Sequence, residues 1–283
     1  MHLPTPKFGQ VAGLLTLLIA APIAALQAQP VIYGNNAGFG NDIVQKVDLT
    51  TGALIQSYTP SVGNGRGVVI VGDIMYSTQV NDSNIYKTSI STGLSLGVIP
   101  TTVASMSTIA YDGNSFWTSD YSGTNRAFQI DFSGNVIKTI TLSLAHDFMD
   151  GMEWFNGKLI ANRDDAGGPY DVYDLDGNVL QADFIHPLVA STGIAFDGTN
   201  FYTSNIFNSS LSVWDGTTGA FIRDIQLTGG TFLIEDLSVN YAERPDTNPN
   251  LGAVPEPSTY GIMGAVALWG AAMLRRRRAA ARA

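Results

Sequence analysis

The chain contains no cysteine, and only 14% of its 283 residues are charged. Without cysteine there is no disulfide, no thiolate metal site and no cysteine nucleophile. Positive charge is scarcer still through the middle. Between Pro30 and Ala253 there are nine Lys and Arg against twenty-three Asp and Glu, a balance of −14. A segment of that sign repels phosphate polymers and anionic lipid, which excludes nucleic acid as a partner. Catalytic signatures are missing too: His-Glu-x-x-His, Gly-x-Ser-x-Gly and phosphate-binding glycine loops do not occur. The run Asp164-Asp165-Ala166-Gly167-Gly168 lacks the alternating ligands and terminal Glu of a calcium loop.

Both ends have the composition of targeting segments. Lys7 precedes an apolar run from Val11 to Leu26, broken by Pro22 and followed by Gln27-Ala28. This pattern predicts a helical signal peptide over 1–28, cut by signal peptidase after Ala28, with Ala25 as the other candidate. At the far end, Val254-Pro255-Glu256-Pro257-Ser258-Thr259 precedes an apolar stretch from Tyr260 to Leu274. Arg275, Arg276, Arg277 and Arg278 follow directly. The stretch is short for the ~20 residues of a membrane span, but snorkelling arginines extend its reach, and it predicts a transmembrane helix over about 260–274. Under the positive-inside rule the arginines stay cytoplasmic, which places the preceding domain outside the inner membrane.

The order Val-Pro-Glu-Pro-Ser, short apolar helix, arginine cluster resembles the PEP-CTERM protein-sorting signal of Gram-negative bacteria. The resemblance covers 254–278 of the tail 254–283. It implies recognition by a membrane-embedded exosortase, removal of the tail near Pro255-Glu256-Pro257, transient residence in the inner membrane, and delivery to the cell surface or extracellular matrix. It also implies association with exopolysaccharide.

The middle of the chain is one repeat read five times. A glycine turn flanked by apolar strands recurs at Gly52, Gly93, Gly134, Gly177 and Gly219, every 41 to 43 residues. A second column, Gly67, Thr108, Gly151 and Gly193, stands nine residues before Tyr76, Trp117, Ile160 and Tyr202. Four short strands per ~42 residues is the signature of a β-propeller blade. Val31-Ile32-Tyr33 reads as a second strand with no first strand before it, and the missing strand appears as Leu237-Ser238-Val239-Asn240-Tyr241. The sequence therefore predicts an all-β propeller over 29–241, with five four-stranded blades and a first blade closed by strands from both termini. The columns Val68, Ile109, Met152, Ile194, Leu237 and Ile70, Tyr111, Trp154, Phe196, Val239 should pack between blades. Trp117, Tyr173, Tyr202 and Trp214 are expected in the core, sugar stacking being the alternative. Residues 242–253, with Pro245 and Pro249, read as a linker to the membrane segment. The Asp-x-x-Thr-Gly turns are also similar to extracellular propellers of the NHL, YVTN and lactonase-like type, a resemblance that bears on fold and not on activity.

In such a ring, the loops between blades and those joining second to third strands share one face around the channel mouth. That face should carry Arg66, Asp120, His146, Asp147, Asp150, Glu235 and Asp236 as ligand-binding candidates, with His186 close by in sequence. An acidic mouth of this kind suits a cation such as calcium or a hydroxyl-rich glycan. The sequence favours a non-catalytic binding or scaffold module engaging exopolysaccharide or a surface protein, with no catalytic residue assigned. The alternative is a glycan hydrolase or lyase using Asp150, Glu153 or Glu235, which would need paired carboxylates roughly 5 to 9.5 Å apart.

Overall fold

The computed structural model describes residues 30–36, 43–60, 65–121, 124–146, 148–163, 168–188, 190–230 and 233–248. Residues 1–28 and the tail from Val254 lie outside them, and with them the signal-peptide and membrane-helix expectations. Among the described residues no helix is long and apolar enough to cross a membrane.

Among the described residues, twenty strands form five separate four-stranded antiparallel sheets. Blade 1 has the order β20(Ile234–Ser238), β1(Val31–Asn36), β2(Ile43–Asp48), β3(Leu54–Tyr58). The next two blades run β4(Gly65–Val71) to β7(Ser95–Pro100) and β8(Met106–Tyr111) to β11(Val136–Thr141). The last two run β12(Met152–Phe155) to β15(Val179–Ile185) and β16(Ile194–Phe196) to β19(Phe221–Gln226). Within blades 3 and 4, the strands between are β9(Phe116–Asp120), β10(Arg126–Ile130), β13(Lys158–Asn162) and β14(Tyr170–Tyr173). Blade 2 contains β5(Ile74–Gln79) and β6(Asn84–Ser89), and blade 5 contains β17(Asn200–Ser204) and β18(Ser210–Asp215). The first strand of each blade is innermost.

The glycine column at the tight turns has two physical causes. All five glycines have positive φ, between 69° and 88°, a region costly for residues with a Cβ. In addition, a Cβ at Gly52, Gly134, Gly177 or Gly219 would come within about 2 Å of a carbonyl oxygen at the end of the preceding blade's outer strand. Each of those turns is therefore also a blade-to-blade contact; at Gly93 a Cβ would meet nothing. The Asp that opens each of four turns caps it. Asp48 Oδ1 accepts from Thr50 and Thr51 N–H, and Asp215 Oδ1 from Thr217 and Thr218 N–H. Asp131 and Asp174 do the same in the shorter turns.

Both predicted core columns are buried, from Val68 and Ile194 at 0% exposure to Tyr111 and Trp154 at 8%. Trp117, Tyr173, Tyr202 and Trp214 are buried as well, and Trp117 and Tyr202 anchor their polar atoms on Asp112 and Asp197. These four rings are core packing and not sugar platforms.

The ring closes as the sequence predicts, with Tyr33 opposite Ser238, Gly34 opposite Leu237 and Asn35 opposite Asp236. The closing strand starts earlier than expected, at Ile234, and ends at Ser238. Asn240 explains the early end. Its Oδ1 accepts from Gly72 N–H and from Ala242 N–H, capping a 3₁₀ turn, Tyr241–Glu243. On the same strand, Asp236 Oδ2 and Ser238 Oγ accept from Val68 and Ile70 N–H. Side chains from β20 thus accept from N–H groups along β4 and bond blade 1 to blade 2 at the inner strands.

Residues 242–248 do not behave as the spacer that the sequence suggested. They fold under the ring, opposite the mouth. Asp246 accepts from Asn156 N–H, a Cβ on Gly113 would strike the Thr247 carbonyl, and Pro245 touches the Gly198 position. Those three contacts are the inner hairpin turns of blades 4, 3 and 5. Arg244, 1% exposed, inserts its guanidinium against Glu153 (3.0 Å), Asp246 (2.8 Å) and the Trp154 carbonyl (2.5 Å), and lies over the Tyr241 ring. A packed, ion-paired segment of this kind is domain, and the remainder of the expected linker, 249–253, lies outside the described residues.

Candidate functional site

At the mouth, the geometry is built around Arg66 at the start of β4. Its Nη1 donates to Glu235 Oε2 at 2.9 Å and stands 3.7 Å from Asp150 Oδ1. The guanidinium lies over the Tyr121 ring, 4.4 Å from its centroid, and Tyr121 packs on Phe148 with centroids 5.0 Å apart. Arg66, Asp150 and Glu235 come from blades 2, 4 and 1, at equivalent repeat positions at the entry to three inner strands. The Ser107 hydroxyl, the equivalent position of blade 3, donates to Asp150. Thr192, from blade 5, donates to the Glu235 carbonyl at 2.7 Å. The fivefold repeat thus gathers five polar residues around the axis, with Glu235, Arg66, Asp150 and Ser107 linked side chain to side chain and Thr192 bonded to the Glu235 backbone.

The electrostatics follow from that contact set. Burial disfavours the charge on Arg66, but Asp150 and Glu235 outweigh it and hold the guanidinium above its ordinary range. One cation serves two carboxylates, so the cluster keeps net negative character. Asp150 is further held by its own backbone N–H, which donates to Asn162 Oδ1.

Immediately below, the axis is shut. Thr108 and Asp236 are 0% exposed, and Thr192 is 1% exposed. A Cβ on Gly151 would lie 1.9 Å from the Thr192 carbonyl, and one on Gly193 would lie 2.8 Å from the Asp236 Cα. The inner-strand glycines are therefore small because neighbouring blades meet there. Asp236 belongs to this closed layer and not to the mouth surface where the sequence placed it. Burial pushes its carboxyl well above the usual carboxylate range. Glu153, the third acid of the hydrolase alternative, is 0% exposed and faces the opposite end. It takes Arg244, the Tyr241 hydroxyl and the Trp154 and Phe196 N–H groups.

The other candidates are spread around the rim. Asp120 accepts from Arg126 at 3.1 Å and from Thr124, and lines a separate groove with Val103, Phe128 and Thr139. His146 is exposed, with its backbone N–H bonded to the Arg163 carbonyl. Asp147 lies outside the described residues. His186 pairs with Asp183 at 2.7 Å on the flank between blades 4 and 5, away from the mouth cluster. Among the described residues, no group of three His, Cys, Asp or Glu converges as a metal site would require.

Sequence reasoning missed Tyr121 and Phe148. Tyr121 directly follows the singled-out Asp120, and its role depends on Arg66 from a different blade. Phe148 is 41% exposed and holds φ of 67°, a strained conformation for a bulky residue. Its backbone conformation is not readable from the sequence. The site as a whole is a shallow platform, with two aromatic rings, one fixed guanidinium and two carboxylates over a closed axis.

Residues 253–278 match the PEP-CTERM protein-sorting motif. That match implies an exported protein sorted to the surface through exosortase. No curated protein matches the chain. Among solved structures, the chain is similar to a protein of unknown function from Bacteroides caccae, with a TM-score of 0.51 at 11% identity over 75% of this chain and 98% of that one. A nidogen/laminin complex (0.49, 13% identity, 74% and 97%) and the glutaminyl cyclase of Myxococcus xanthus (0.47, 16%, 72% and 81%) are also similar. At these identities the likeness concerns the fold alone.

Proposed function

We propose that this exported propeller is a non-catalytic binding or scaffold module at the cell surface or in the extracellular matrix, engaging exopolysaccharide through its mouth. The observation that carries this reading is the Arg66 clamp. Glycoside cleavage needs one carboxyl free to give a proton and another free to attack or activate water. Here Glu235 and Asp150 share one guanidinium, Glu153 is sealed beneath the ring, and the closed axis leaves no depth for a sugar to descend. What the mouth offers is stacking area on Tyr121 and Phe148, beside oriented donors and acceptors. That combination suits the hydroxyls and apolar ring faces of a neutral glycan. An anionic polymer would meet the surplus of carboxylates.

The test is a glycan array probed with the purified protein, with and without calcium, beside Arg66→Ala and Tyr121→Ala. Calcium-independent binding to neutral polysaccharide, lost in both variants, is the expected result. Binding only with calcium would assign the carboxylates to a cation. Binding that survives both substitutions would place the ligand elsewhere on the ring. No binding at all would leave a structural matrix protein without a ligand site at the mouth.

A further inference from the structure

A second site lies on the flank of the ring, between blades 4 and 5. It is a cavity of about 420 Å³ lined by His186, Leu188, Ser212, Trp214, Phe221 and Asp224. Two aromatic rings form its corner. Trp214 and Phe221 meet at 73° with centroids 5.4 Å apart, and the Trp214 indole is fixed by donating Nε1–H to Thr203 Oγ1 at 2.9 Å. Phe221 is 54% exposed and Leu188 93% exposed, so two apolar walls open to solvent.

The polar side of this corner is acidic. Asp224 Oδ1 accepts from the Ser212 hydroxyl at 2.7 Å, and Asp183 holds His186 at 2.7 Å. Arg223, the adjacent cation on the same strand, is turned away and donates to the Leu49 carbonyl of blade 1. Among the described residues, no Lys or Arg lines the cavity. Asp183 sits at φ of 55°, which sets the bend that brings its carboxylate to His186.

The half-exposed Phe221 ring, backed by the buried Trp214 and beside the Asp224 carboxylate, makes an arrangement that attracts an organic ammonium group, since an aromatic face carries negative quadrupole potential. The apolar walls ask for a ligand with a hydrocarbon face next to that cation. We propose that this flank cavity binds the protonated amine of an amino sugar in a partly deacetylated polysaccharide, its pyranose face against Phe221 and Leu188 and its ammonium toward Asp224. The proposal is independent of the mouth, since the two sites share no residue.

The experiment titrates the full-length chain in maltoside detergent with a hexamer of glucosamine and, separately, of N-acetylglucosamine, by calorimetry at about pH 6, below the range where an amine of this kind loses its proton. The expected result is binding of the glucosamine hexamer, with the acetylated hexamer at least roughly tenfold weaker because acetylation removes the charge. Phe221→Ala and Asp224→Asn should each weaken the glucosamine hexamer by roughly two- to fivefold, the size of an exposed cation–π or charge contact. Lys138→Ala, a surface change on the outer strand of blade 3 outside both sites, should leave it unchanged. Asp224→Asn alters one surface group, so it decides the matter even if Phe221→Ala unfolds. Equal affinity for both hexamers, no binding of either, or full affinity in Asp224→Asn would overturn the proposal. Loss of binding in Arg66→Ala alone would overturn it too, by moving the amine to the mouth.

Discussion

Replacing Arg244 with methionine should destabilise the ring by about 3 kcal/mol. Arg244 is the buried cation that faces Glu153 at 3.0 Å, and both side chains are at or below 2% exposure. Removing one partner of a buried ion pair typically costs about 3–5 kcal/mol, because a charge is left without compensation in a low dielectric. Glu153 keeps three other donors, the Tyr241 hydroxyl and the Trp154 and Phe196 N–H groups, so the lower end of that range applies. For a domain of this size the change corresponds to roughly 6–12 °C in Tm. Urea unfolding at constant protein concentration measures it, and the double variant Glu153→Met/Arg244→Met separates charge from packing. If the carboxylate is what suffers, the double variant recovers most of the loss. A single variant within about 0.5 kcal/mol of wild type, the usual effect of a surface change, would refute the argument. A double variant worse than the single would do so as well, and would make the segment below the ring a matter of packing.

Other outcomes follow from the fold, its buried and capping carboxylates, and the sorting motif. Truncation after Glu235 removes the inner strand of blade 1 and exposes two sheet edges, so light scattering should report aggregation, whereas a soluble monomer of unchanged Tm would contradict the closure. Burial holds the Asp236 carboxyl well above its ordinary value; the fold therefore keeps a proton that the unfolded chain releases near pH ~4, and stability declines as pH rises from there toward the raised value. Asp236→Asn should thus gain stability over wild type at pH 7 and lose that advantage near pH 3, as followed by thermal melts across pH. Asp131, Asp174 and Asp215 are held below their ordinary value by Asn135, Asn178 and Thr218, so their contribution is present above the unfolded pKa and disappears as acid titrates them through the lowered one. Mass spectrometry of the surface-released protein should find a start near Gln29 or Pro30 and an end near Pro255, and recovery of intact Arg275–Arg278 there would contradict the sorting.

The repeat made the fold legible. Gly52, Gly134, Gly177 and Gly219 repeat because both their φ and their close approach to a neighbouring carbonyl exclude a Cβ, so spacing alone counts blades. The closure through Val31–Tyr33 was readable for the same reason, since a strand missing from one end of the array must come from the other. The site was legible only in part. Arg66, Asp150 and Glu235 fall at equivalent repeat positions, and the ring brings them together at its axis. Asp236, one residue on, is turned by strand alternation into the closed layer, a difference of a single position that composition does not register. Tyr121 and Phe148 depend on loop conformations with no repeat behind them. The segment 242–248 looked like a spacer because of its Pro, Asn and Asp content, yet one residue, Arg244, ties it to Glu153, 91 positions away.

The proposed function is glycan binding at the mouth without cleavage. The direct measurement incubates the purified protein with the polysaccharide that it retains on an array, and follows bound fraction and chain length together. A binding module retains the polysaccharide with no shortening, loses retention in Arg66→Ala, and yields no new reducing ends over prolonged incubation. Polysaccharide shortened by the wild-type protein, with shortening abolished by Glu235→Gln or Asp150→Asn, would contradict it and make those carboxylates catalytic.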